Sequence, residues 1–155
     1  MSVSDLCDEY RDVQVMQPAL RHFGANKEFS GPIETVLVDH DNSLVRETLS
    51  TPGNGRVLVV DGGANAVALV GDKLATLAIN NGWNGVVVNG YVRDSKELAN
   101  LPVGVMALGT FPQRSFETRS SELGIPLHFL GVTFTPGHWL YADEDGAIVA
   151  AGALR

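Results

Sequence analysis

The chain has 155 residues and a net charge of −7, with 45% hydrophobic and 19% charged residues, the balance of a globular domain with its own core and not of a disordered segment. Its lysines, Lys27, Lys73 and Lys96, are scattered, which argues against direct nucleic-acid binding, because that relies on clustered positive charge facing phosphates. The lone Cys7 excludes an internal disulfide or a thiolate metal cluster, and no apolar run approaches the ~20 residues that span a membrane.

In chain order, Met1-Ser2-Val3-Ser4-Asp5-Leu6 has no basic region followed by an apolar core, so no signal peptide is expected and the location is read as cytoplasmic. Ser4 to Tyr10 reads as a short helix with Ser4 as N-cap and acids in its first turn. Phe29-Ser30-Gly31-Pro32 reads as a turn, followed by a strand from Ile33 to Val38. Asp41-Asn42 suits the N-cap of a helix from Ser43 to about Leu49 with Leu44, Val45 and Leu49 inward, and Thr51 to Gly55 breaks it. Arg56 to Asp61 is a continuous apolar strand of the kind buried on both faces.

Gly62 to Asn65 turns the chain, and Ala66 to Val70 is an apolar run that periodicity assigns to neither strand nor helix. A helix is expected from Lys73 to about Asn81, closed by Gly82 to Gly85. Val86-Val87-Val88 is a core strand. A short helix from Ser95 to Asn100 ends at Pro102, and Val103 to Leu108 is a strand. Phe111 to Ser121 is a polar loop with Arg114 and Arg119. The last third holds expected strands at Ile125–Phe129, Val132–Phe134, Trp139–Ala142 and Ala147–Ala150, the last two flanking a hairpin at Asp143 to Gly146. Helices alternate with strands in the middle and strands cluster at the end. The expected fold is therefore α/β, a layered sandwich with a partly parallel central sheet, in one domain over residues 1–155.

Two stretches carry candidate chemistry. Gly71-Asp72-Lys73-Leu74 opens a helix, whose first N–H groups lack intrahelical partners and suit a carboxylate; the alternative is an ordinary start capped by Asp72. Arg93-Asp94 offers a bidentate fork for substrate oxygens and an oxygen ligand for Mg²⁺ or Mn²⁺; the alternative is a capping box of Asp94 with Glu97. Asp61-Gly62-Gly63 has neither G-x-G-x-x-G nor G-K-[ST] spacing and reads as a structural turn. His22, His40, His128 and His138 have no ligand spacing; His128, on an apolar strand, is expected in the core or an interface. There is no nucleophile elbow. A Schiff base at Lys73 would need a desolvated lysine, and a first-turn lysine is expected to be solvated.

Taken together, Val57 to Gly63, Ala68 to Ala75 and Gly82 to Asp94 resemble the RraA-like proteins. So do Asp5 to Asp8, Phe23-Gly24, Phe29 to Ile33, Gly131 to Gly137 and Tyr141 to Gly146, and the resemblance runs through nearly the whole chain in order. The family includes regulators of ribonuclease E activity and divalent-metal 4-hydroxy-4-methyl-2-oxoglutarate aldolases that also decarboxylate oxaloacetate. The resemblance implies a homotrimer, sometimes stacked to a hexamer, with sites near subunit clefts. It implies that Gly71, Asp72, Lys73 and Leu74 bind a pyruvyl carboxylate through backbone N–H groups, that Arg93 contacts a short 2-keto dicarboxylic acid, and that Asp94 holds the metal. Asp72 is expected to orient a water or relay a proton. Asn89 stands where an Asp is common, and longer aldolases of this type carry an extension beyond the position of Arg155 that lends acidic groups to a neighbour's site. The expected activity is a metal-dependent lyase. The alternative is a non-catalytic protein that binds a ribonuclease E-type enzyme; members serving as regulators can lack the Asp that follows the Arg, which this chain keeps.

Overall fold

Valine-rich runs cannot satisfy their backbone groups alone, and here they pair side by side. The computed structural model describes residues 2–154; Met1 and Arg155, which the sequence reading used at the chain ends, lie outside the described residues. In order the elements are α1 (Val3–Glu9), β1 (Gln14–Val15), β2 (Arg21–His22), β3 (Phe29–Leu37), α2 (Ser43–Leu49), β4 (Val57–Asp61), β5 (Ala68–Val70) and α3 (Asp72–Asn80). They continue with β6 (Gly85–Val92), α4 (Ser95–Leu98), β7 (Gly104–Thr110), β8 (Glu122–Leu123), β9 (Leu127–Phe129), β10 (Val132–Phe134), β11 (Trp139–Asp143) and β12 (Gly146–Ala150).

Strands β3, β4, β6 and β7 run parallel, with Val57 between Ile33 and Gly85, and Gly85 beside Gly104. Antiparallel β11, β12 and β1 extend this sheet past β3, and β2 closes the other side against β7. Strands β4, β6 and β7 are buried on both faces along most of their length, as their apolar runs require, whereas β3 alternates buried and half-buried residues. Val36, Leu58, Val60, Val86 and Val88 meet α2 and α3 through Val45, Leu49, Leu74 and Ala78. The alternate residues Ile33, Val57, Val59 and Val87 pack with Leu140, Ala142, Val149 and the β9–β10 residues Leu127 and Phe134. The sheet curls so that its own far strands cover its second face, giving the mixed α/β fold with a strand-rich final third.

Four local readings change. Phe29–Pro32 is not a turn but the first half of β3: it pairs antiparallel with β11, and the strand switches to parallel pairing with β4 at Ile33. Pro32, which has no N–H to give, sits at that switch. The cap of α1 is Ser2, whose side chain accepts the Asp5 N–H at 3.1 Å, while the Ser4 hydroxyl bonds Asp145. The undecided Ala66–Val70 run is strand β5 from Ala68, paired with β6. His128 is exposed and not in the core; its Nδ1 lies 3.0 Å from Thr133 Oγ1.

Candidate active site

Strands β5 and β6 are parallel neighbours, so the residues that follow each strand emerge together. The Arg93 N–H donates to the Val70 carbonyl at 2.9 Å, which joins the two stretches singled out in the sequence. Gly71 is the N-cap of α3, with extended φ and ψ of −135° and −163° and no side-chain cap bond. Asp72 is therefore the first helical residue and not the cap. The cap is supplied from the other stretch: Asp94 Oδ2 accepts the Asp72 N–H at 3.0 Å. A carboxylate there lies at the positive end of the helix dipole. The Lys73 and Leu74 N–H groups have no partner among the described residues and stay open for an anion.

Asp94 reaches α3 because of its own backbone. With φ +61° and ψ +41° it is left-handed, and its side chain makes no bond to the start of α4. The capping box with Glu97 is thus not formed. Asp and Asn tolerate this conformation best among residues with a Cβ. Gly71 is needed for a different reason: a Cβ added there would lie 2.5 Å from Asp94 Oδ2 and 3.3 Å from Arg93 Cγ.

Gly71, Asp72, Lys73, Leu74, Arg93 and Asp94 all line one cavity of about 320 Å³. Arg93 and Asp94 are half-buried and Lys73 is exposed, so a desolvated Schiff-base lysine is absent. The sequence reading missed Asn42, Arg46 and Arg114, which also line the cavity, together with Ala68 and Val70 of β5. Asn42, the N-cap of α2, and Arg46 lie four apart, a spacing that shares a helix face, and this was the signal available for them. Arg114 carried none, since its place depends on an isolated parallel bridge to Ala68. Among the residues lining the cavity, the cations Arg46, Lys73, Arg93 and Arg114 outnumber the acids Asp72 and Asp94, so the lining is locally cationic in a chain of net charge −7.

Elsewhere the candidates resolve as structure. Asp61 Oδ1 accepts the Gly63 N–H at 2.9 Å and the Asn89 Nδ2 at 3.0 Å, so Asp61-Gly62-Gly63 is a turn and Asn89 braces it. A smaller cavity of about 230 Å³ lies between α1 and β11. Its Asp143 is already engaged by the Val3 and Asp145 N–H groups at 2.9 Å each. Among the described residues no three His, Cys, Asp or Glu side chains cluster to ligate a metal by themselves, and no helix is long and apolar enough to cross a membrane.

A curled mixed sheet with a cationic cavity where its parallel strands end defines the class of molecule. The family model described as RraA-like, Aldolase/RraA, matches residues 3–149, and the chain belongs to that family. It is 52% identical over 151 residues, 97% of this chain and 91% of the other, to a protein of Xanthomonas campestris pv. campestris (strain B100) named as a candidate 4-hydroxy-4-methyl-2-oxoglutarate aldolase. A solved structure from Geobacillus kaustophilus HTA426, titled as an S-adenosylmethionine:2-dimethylmenaquinone methyltransferase, superposes with a TM-score of 0.96 at 46% identity, covering 99% of this chain and 97% of that one. The RNA-processing inhibitor RraA from Thermus thermophilis also superposes with a TM-score of 0.96, at 40% identity, covering 100% of this chain and 95% of that one.

Proposed function

We propose that this protein is a divalent-metal-dependent lyase that cleaves 4-hydroxy-4-methyl-2-oxoglutarate to pyruvate and decarboxylates oxaloacetate through the same pyruvate enolate. The observation that carries the reading is the meeting of the α3 start with Arg93 and Asp94 on one cationic cavity. The aldolase names of the relatives support it. The cationic lining disfavours the methyl transfer named for the Geobacillus protein, because a sulfonium cofactor would be repelled.

In this reading the pyruvyl carboxylate accepts the Lys73 and Leu74 N–H groups at the α3 start. Arg93 donates to the keto oxygen, where negative charge gathers as the C–C bond breaks and its electron pair enters the enolate. In the aldol cleavage a water oriented by Asp72 takes the C4 hydroxyl proton as that carbon becomes the ketone of the second pyruvate, and the same relay returns a proton to the enolate carbon. The Asp94 carboxylate fits a hard cation such as Mg²⁺ or Mn²⁺: its Oδ1 has no partner among the described residues, and such ions take one or two carboxylates with water and substrate. When bound, the cation supplies Lewis-acid polarisation of the keto oxygen. The reading includes a homotrimer, stacked in some states to a hexamer, with the cavity near a subunit cleft, in the cytoplasm.

The test is pyruvate release from both substrates with Mg²⁺ or Mn²⁺, with and without EDTA. EDTA is expected to abolish it, and Asp94→Ala is expected to lower kcat/KM by about 100-fold or more. Wild-type rates in Asp94→Ala would remove the metal role. A second reading, a non-catalytic inhibitor of a ribonuclease E-type enzyme, is favoured by the name of the Thermus neighbour; absence of retention on an immobilised ribonuclease E-type protein would sink it.

A further inference from the structure

Two arginines lining the cavity take no part in the steps above. Arg46 stands on α2, and Arg114 on the stretch after β7. The Arg114 Nε donates to the Ser115 carbonyl at 3.1 Å, and its guanidinium lies 5.0 Å from the Phe116 ring centroid. Its two terminal nitrogens have no partner among the described residues, so the planar fork that matches a carboxylate is open. Arg114 bridges Ala68, three residues before Gly71. At roughly 3.3 Å per extended residue, its backbone stands about 10 Å along the strand from the α3 start. With two positive charges unmatched by Asp72 and Asp94, the cavity suits a dianion with one carboxylate toward each end.

The stretch that carries Arg114 is latched on both sides. Ala68 N–H donates to the Gln113 carbonyl at 2.9 Å, and the Ser115 hydroxyl donates to the His40 carbonyl. The Arg119 N–H donates to Asp41 Oδ2 at 2.9 Å. Asp41 is only 4% exposed, and its other oxygen takes the Ser43 N–H at 2.9 Å and the Ser43 hydroxyl at 2.6 Å. A buried carboxylate that accepts from two segments is a fixed point between them; an amide in its place sets donor against donor on one side.

We propose that Arg114 reads the second carboxylate of a short 2-keto dicarboxylic acid, and that Asp41 is the positioning residue that holds Arg114 over the cavity. This rests on the lyase reading. Its test compares cleavage of 4-hydroxy-4-methyl-2-oxoglutarate, whose second carboxylate stays charged in the departing pyruvate, with proton–deuterium exchange at C3 of pyruvate, which presents one carboxylate; both pass through the same enolate. Arg114→Gln is expected to raise KM for 4-hydroxy-4-methyl-2-oxoglutarate about tenfold or more while kcat changes far less, and to lower kcat/KM for that substrate much more than for pyruvate exchange. Millimolar guanidinium is expected to restore part of the loss in Arg114→Ala. Asp41→Asn is expected to give the same split with a smaller rise in KM. Should that variant not fold, Ser115→Ala, which cuts the other latch, is expected to give it instead. Equal losses on both reactions, or no response to guanidinium, would overturn the proposal. A wild-type protein active in both reactions with Arg114→Gln unchanged defeats this inference alone; a wild-type protein active in neither defeats the lyase reading and this inference with it.

Discussion

Asp94 and Gly71 illustrate two ways in which one residue type becomes necessary. At Asp94 the backbone is left-handed, which costs most residues with a Cβ about 1–2 kcal/mol and Asp or Asn less. At Gly71 the backbone is ordinary and the space is not: the Asp94 carboxylate occupies the volume of a Cβ. Gly71→Ala is therefore expected to displace Asp94 and lower lyase kcat/KM by at least about tenfold, with a much smaller effect on Tm than on rate. Kinetics and thermal unfolding of the same preparation check this, and an unchanged rate would mean that the Asp94 contact is dispensable. The residue types at both positions were legible in the sequence as turn and cap chemistry. Their dependence on each other was not, because Gly71 and Asp94 lie far apart along the chain and meet only in the fold.

At the scale of elements, the glycines of β6 and β7 show why strand pairing overrode local turn signals. Gly85 and Gly104 sit side by side, and the Phe29 ring lies on both, in the space their missing side chains leave. Phe29-Ser30-Gly31-Pro32 has the composition of a turn, yet burial of Phe29 and pairing with β11 make it a strand. Gly104→Ala is expected to overpack this contact and destabilise the fold by about 1–3 kcal/mol, read by urea unfolding. The junction of α2 with the loop after β7 gives a pH prediction. The Ser43 hydroxyl, with the Arg119 and Ser43 N–H groups, holds the Asp41 carboxyl below the usual carboxylate range. A group whose folded value is depressed stabilises above its unfolded value, about 3.9, and loses that stabilisation as pH falls through the folded value. Asp41→Asn is therefore expected to be less stable than the wild type at pH 7, with the difference closing below about pH 4. A difference constant with pH would show that only the bond geometry matters.

For the whole molecule, charge and topology act together. A chain of net charge −7 repels anions at long range, while four cationic residues line one cavity. Screening lengths shrink from about 10 Å at 0.1 M salt to about 3 Å at 1 M. Raising salt is therefore expected to increase KM for a dianionic substrate several-fold, and an unchanged KM would separate binding from the cationic lining. The sequence by itself determined the apolar strands, the helix starts at Gly71 and Ser43, the polar loop with Arg114 and, through resemblance, the RraA-like family. These are local properties: hydrophobic period, cap chemistry and turn residues act within a few positions. Only the tertiary structure decided that Asp94 caps α3 and not its own helix, that Phe29–Pro32 is strand, and that Arg46 and Arg114 join Arg93 around one cavity. The physical reason is that parallel neighbours must be reached through long crossovers. Contacts between their ends therefore depend on register and curl, which neither stretch encodes alone.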